Sequence, residues 1–240
     1  MIIYNPDIEV FQDFVNFNKD SPCIWVVYPA GAAGDMFSTI INFHYVNTSA
    51  SYYGINENGQ IIFRPSDFKF TNQLHNQNKL SFNEEFFKKI EDILSSKNTN
   101  FSLLDQFIFS NHCYENHNVE LILDTFPNAK IIRILPGTDL GKRIVYWLSN
   151  FKNKNQNLEL EDCDKIYIPD PAILNDSRLL DIEFEKLIDS AEFESIYDSV
   201  VNHLNLPGKL IRYDFIKFWL ENQCPKIKSQ LEILIEENKI

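Results

Sequence analysis

A chain of 240 residues, 44% hydrophobic with 20 Phe and 10 Tyr, is long enough to close one substantial core without a second, so residues 1–240 are read as a single domain. Its formal charge of −12 excludes a general nucleic-acid binder, because a phosphate backbone rewards a basic face. Cys23, Cys113, Cys163 and Cys224 form no CxxC pair, the first residues carry no basic leader, and no apolar run approaches the roughly 18 residues a bilayer needs, so the expectation is a soluble, cytoplasmic protein with reduced thiols and no metal.

Residues 23–28, Cys-Ile-Trp-Val-Val-Tyr, are apolar and β-branched, the pattern of a strand buried on both faces. The run breaks at Pro29 into the small-residue loop Pro29-Ala-Gly-Ala-Ala-Gly34, and from Asp35 to His44 apolar residues recur at helical spacing. Residues 45–80 are polar and rich in Asn and Ser, with a short strand predicted at 61–63 and loops suited to contacting a substrate. An amphipathic helix is predicted over 82–94 with Asn83 as its N-cap, and a second buried strand over 107–109 that ends at Ser110-Asn-His112.

A helix over 119–126 is terminated by Pro127-Asn128, and a third strand over 130–135 is closed by Pro136-Gly137. Thr138 is placed to cap the next helix, which runs to about residue 148. Beyond the basic, Asn-rich stretch 151–157, a strand is predicted at 181–184 and helices at 192–204, 208–222 and 226–237, with Pro207 and Pro225 at their boundaries. Three successive strand-helix units predict a three-layer α/β/α fold with a central, mostly parallel sheet and a helical C-terminal part packed on it.

Three places carry candidate chemistry. The turn at 29–34 entering a helix leaves backbone N–H groups unpaired where the helix dipole favours an anion; the plainer alternative is that its glycines merely permit a tight turn. The loop has neither the lysine nor the hydroxyl of a Walker motif, and Asp35 in the first turn competes for the same donors. His112 follows the second strand, at the carboxyl end where ligands collect in such sheets, and an imidazole titrating near about 6.5 can take a proton at neutral pH. Alone, a loop histidine is more often a surface or hydrogen-bonded residue, and a zinc site of His112, Cys113 and His117 lacks a second ligand pair. Arg133, Lys142 and Arg143 lie in a locally basic segment suited to a second phosphate, or to a solvated helix face. Trp25, Trp147 and Trp219 sit in apolar patterns and are read as core.

In this order the segments resemble the sulfotransferase superfamily over about residues 22–222. Tyr28-Pro-Ala-Gly-Ala-Ala-Gly34 holds the place of that family's 5′-phosphosulfate loop, and Phe107-Ile-Phe-Ser-Asn-His112 resembles its strand ending in a catalytic histidine. Phe126-Pro-Asn-Ala-Lys-Ile-Ile132 is similar to the lead-in to its 3′-phosphate loop, Asp181-Ile-Glu-Phe-Glu-Lys-Leu187 resembles its later "YEDL"-like segment, and a helical tail with Tyr213 and Trp219 is in character.

The resemblance implies a P-loop-like fold that moves a sulfuryl group from 3′-phosphoadenylyl sulfate to a hydroxyl or amine of a small-molecule or glycan acceptor, without a metal. It makes His112 the base and Gly31, Ala32, Ala33, Gly34, Asp35, Met36 and Ser38 the 5′ cradle; Arg133, Lys142 and Arg143, which do not match the family's motif, are read as substitutes for its 3′-phosphate ligands. Two departures stand beside it. Ala30, Gly31, Asp35 and Met36 lie where the family offers a lysine and hydroxyls, leaving Ser38 as the nearest hydroxyl, and Ile134-Leu-Pro136 stands where an R-x-P is expected. A catalytically silent binding or assembly module of the same fold is the rival reading, and a nucleotide-dependent phosphotransferase a third.

Overall fold

The computed structural model describes residues 17–42, 53–55, 61–63, 81–94, 107–150, 174–206, 220, 221, 224, 225 and 227–229. In chain order its elements are β1 (Cys23–Val27), α1 (Gly34–Asn42), β2 (Tyr53–Ile55), β3 (Ile61–Phe63), α2 (Glu84–Leu94), β4 (Phe107–Asn111), α3 (Asn116–Thr125), β5 (Ala129–Leu135), α4 (Asp139–Asn150), β6 (Leu179–Glu183), α5 (Phe184–Leu187) and α6 (Phe193–Leu204).

All five residues of β1 are buried, and an uninterrupted apolar strand of this kind is stable only with neighbours on both edges and both faces. It has them. The sheet order is β4-β1-β5-β6, every pair parallel, with Cys23 opposite both Phe107 and Ala129. Side chains alternate between two cores. Ile24, Val26, Ile132, Ile134 and Ile182 face one layer, built from Phe37, Ile40 and Ile41 of α1, Ile144 and Val145 of α4, and Val200 and Leu204 of α6. Trp25, Val27, Phe109 and Ile131 face the other, which holds Phe86 and Ile90 of α2, Val119, Ile122 and Leu123 of α3, and Phe126. The three-layer arrangement with a parallel sheet is the one the strand-helix repeats predict.

The local signals act as read at several boundaries. Asn83 Oδ1 accepts the Phe86 N–H at 3.1 Å, capping α2, and Thr138 Oγ1 accepts the Gly141 N–H at 3.1 Å, capping α4. Other boundaries move. β3 has an antiparallel partner in β2, which the polar composition around it concealed. α3 begins at Asn116 rather than 119, because its first turn is polar and invisible to apolar periodicity; there the Asn118 amide donates to Glu115 Oε2 at 2.9 Å. Phe184 opens the short α5 instead of ending a strand. Most of the segment 45–80, the basic stretch 151–157, and nearly all of the helices expected at 208–222 and 226–237 lie outside the described residues.

Behind β6 the sheet is fastened by a small polar cluster. Arg178 donates to Asp176 through Nε and Nη2 at 3.0 and 2.7 Å, and through Nη1 to the carbonyls of Leu123, Phe126 and Pro127, placing a cation at the negative end of α3. His203 of α6 bonds the Arg178 carbonyl through Nε2 at 3.1 Å, and Lys130 Nζ donates to the His203 carbonyl at 2.8 Å. Burial, and then the nearby Lys130 charge, hold the His203 imidazole below its ordinary pKa. The unfolded chain therefore binds a proton here at a pH where the folded chain does not. Stability attributable to His203 is complete above about pH 6.5 and is lost as pH falls from there through the lower folded value. The urea midpoint of the wild type should fall more than that of His203→Gln between pH 7.5 and 5.5; equal falls would show that this site is not the source.

Candidate functional site

In open parallel sheets the ligand crevice lies at the carboxyl ends of two strands whose following helices cross to opposite faces. Here that place is between β1 and β4, since α1 packs in one core and α3 in the other. The loop after β1 and His112 after β4 are therefore brought side by side, as the strand order requires.

Tyr28 joins them, although the sequence reading did not select it. Its N–H continues the ladder to the Asn111 carbonyl at 3.1 Å, and its side chain is 2% exposed with the hydroxyl 2.6 Å from Ser110 Oγ. The ring stands edge-on to the half-buried His112 imidazole, with 5.1 Å between centroids. Gly34 lies against the same ring, so that a Cβ there would collide with it. One buried tyrosine thus sets the spacing between the loop and the histidine. The signal for it was a polar-tipped aromatic ending an apolar strand immediately before the glycine loop.

Within the loop the backbone turns sharply. Gly31 has φ 92° and Ala33 has φ 57°, both in the left-handed region, where Ala33 carries strain that glycine would not. The Ala32 N–H is used by the Pro29 carbonyl at 3.1 Å, while no described residue supplies an acceptor to the N–H of Gly34 or Met36. These are first-turn donors with no carbonyl ahead of them, pointing along the positive end of α1. The side chains do less. Ala32 and Met36 are buried in the core, and Ser38, 3% exposed, donates its hydroxyl to the Gly34 carbonyl at 2.8 Å. The Ser38 hydroxyl hydrogen is thus spent on its own helix. The Asp35 side chain lies outside what the structure describes.

The second expected region separates into parts. Arg133, expected at a 3′-phosphate, has a side chain that is 0% exposed and already partnered. Nε and Nη2 clamp the two Asp181 oxygens at 2.7 and 2.6 Å, and Nη1 donates to Asn116 Oδ1 at 2.6 Å. A buried guanidinium needs such partners, and Asp181 is its register neighbour on β6. Lys142 and Arg143 are half-buried in the first turns of α4.

At the start of that helix a carboxylate from α5 has arrived. Glu185 Oε2 accepts the Gly137 N–H at 2.8 Å, and Oε1 accepts both the N–H and the hydroxyl of Thr138 at 2.7 Å. Asp181 and Glu185 stand in the family-like segment 181–187, but nothing local marks a contact made across the sheet. The zinc alternative does not assemble: Cys113 is buried, His117 is exposed on α3, and the described residues contain no metal-holding group of three or more His, Cys, Asp or Glu.

No protein-family model matches the chain. No curated protein matches it in sequence. Solved structures similar to it include several sulfotransferases. The sulfotransferase from Alicyclobacillus acidocaldarius is 10% identical, with a TM-score of 0.39 covering 90% of this chain and 96% of that one. The sulfotransferase domain from the curacin biosynthetic pathway is 12% identical, with a TM-score of 0.37 covering 89% and 98%. Retinol dehydratase, in a complex with retinol and PAP, is 12% identical, with a TM-score of 0.37 covering 85% of this chain and 65% of that one. These likenesses are distant in both sequence and shape. Among the described residues no helix is long and apolar enough to cross a membrane.

Proposed function

We propose that the chain is a sulfotransferase that holds the 5′-phosphosulfate end of a nucleotide donor on the loop between β1 and α1 and uses His112 as base toward a hydroxyl or amine acceptor. The observation that supports the reading is one buried ring, Tyr28, in contact with both the Gly34 turn and the His112 imidazole. The donor the sequence implies, 3′-phosphoadenylyl sulfate, supplies the sulfuryl group when bound. Its fit is one-sided. The α1 N-terminus suits one phosphate or sulfate, whereas Arg133, assigned to the 3′-phosphate on sequence, is consumed by Asp181 and Asn116.

The chain's own part is then limited and specific. The N–H groups of Gly34 and Met36 orient the anion at the start of α1. A ring nitrogen of His112 takes the acceptor's proton as its oxygen or nitrogen becomes a nucleophile. The acceptor is read as a small molecule or a glycan. His112→Ala should lower turnover by roughly 10²–10⁴-fold while leaving the affinity for adenosine 3′,5′-bisphosphate unchanged, measured by sulfate transfer to a panel of acceptors and by calorimetry. Equal turnover in the variant would remove His112 from the reaction.

The second reading, a catalytically silent binding module, draws on one observation. Ser38, the nearest hydroxyl to the loop, is bonded to Gly34, and Ala30 and Gly31 provide no side chain to steady a leaving group. That reading expects nucleotide binding without turnover in the wild type, and the same pair of measurements separates the two.

A further inference from the structure

Resting on the nucleotide-binding reading, we infer that this chain takes nucleotides by the 5′-phosphate or phosphosulfate alone and gives a 3′-phosphate no hold, because its own Glu185 carboxylate occupies the anion place at the start of α4. Four donors at that turn are already used. The Gly137 and Thr138 N–H groups and the Thr138 hydroxyl all point at Glu185, at 2.7–2.8 Å, and the Gly141 N–H is taken by Thr138 Oγ1 at 3.1 Å.

The glycines of this turn are fitted to the carboxylate. A Cβ on Gly141 would run into the Glu185 carboxylate, and one on Gly137 would come within 2.8 Å of Glu183 Oε2. Two carboxylates, from the end of β6 and the start of α5, therefore flank the turn, Glu183 paired with Lys186 at 3.2 Å and Glu185 held by the turn itself, and Asp139 lies in the first turn of α4. Arg133, the nearest strand cation, is sealed behind Asp181. An arriving phosphate would have to displace the Glu185 carboxylate from the Gly137 and Thr138 donors, so the ligand class that fits is a nucleoside 5′-phosphate or 5′-phosphosulfate, whatever its 3′ position carries.

The test is calorimetric titration of the full chain with adenosine 5′-monophosphate and with adenosine 3′,5′-bisphosphate, repeated on Glu185→Gln. The wild type should bind the two within about threefold of each other, and Glu185→Gln should shift the ratio about tenfold toward the bisphosphate. A bisphosphate preference of about tenfold or more in the wild type overturns the inference and leaves the proposed function standing. Binding of neither nucleotide overturns both. An unchanged ratio in a folded Glu185→Gln overturns the part assigned to Glu185, and if that variant does not fold the wild-type comparison decides alone.

Discussion

Arg133→Ala is expected to destabilise the protein by about 3–5 kcal/mol without a specific loss of nucleotide affinity. The cost comes from what remains. Asp181 loses a bidentate partner and Asn116 loses a charged donor at 2.6 Å, in a place where the guanidinium itself has no exposure. The Asp181 side chain is 26% exposed, so water relieves part of its charge and the lower end of that range is the better target. Arg133→Met combined with Asp181→Leu should recover much of the loss, because replacing both members of a buried pair leaves no orphan. Chemical denaturation of the three variants measures this. A stable Arg133→Ala that binds nucleotide more weakly would return Arg133 to the role its sequence position first implied.

Gly31→Ala should cost roughly 2–4 kcal/mol, from a left-handed backbone that an L-residue resists and from overpacking. At φ 92° the new Cβ would press on the Val145 carbonyl and lie 2.8 Å from the Ser149 nitrogen, both backbone atoms of α4 that no rotamer change can move. Ala33→Gly is the informative companion. At φ 57° alanine is strained, and glycine should leave the protein up to about 1 kcal/mol more stable with its nucleotide affinity intact. If both variants lose binding equally, the loop acts through flexibility and not through the fixed turn described here. Urea midpoints and one titration for each variant suffice.

The contrast between these sites shows what could be read from the chain. β1, the loop and His112 were legible because each is written locally: a run of apolar, β-branched residues, a cluster of small residues where it stops, and a polar residue at the end of a second such run. The parallel order followed from helices alternating with strands. The enclosure of Arg133 is not legible, because a cation on a strand looks the same whether it faces solvent or is enclosed, and its partner Asp181 lies 48 positions on. The Glu185 contact was missed for the same reason: Thr138 announced a helix cap, but nothing near it announced a carboxylate from another element. Ser38 was chosen as the nearest hydroxyl, a matter of sequence distance that ignores the preference of a mid-helix serine for its own backbone.

The central position of β1 also has a consequence during synthesis. Its two partners begin at Phe107 and Ala129, so the most apolar strand of the sheet leaves the ribosome long before either edge can be satisfied. At the usual rates of elongation it waits on the order of ten seconds, as an exposed, pairing-competent ribbon that other nascent chains or a chaperone can reach. Such high contact order predicts slow folding and an early dependence on holdase protection, and yields of soluble protein should rise when translation is slowed or a chaperone is supplied together with the chain.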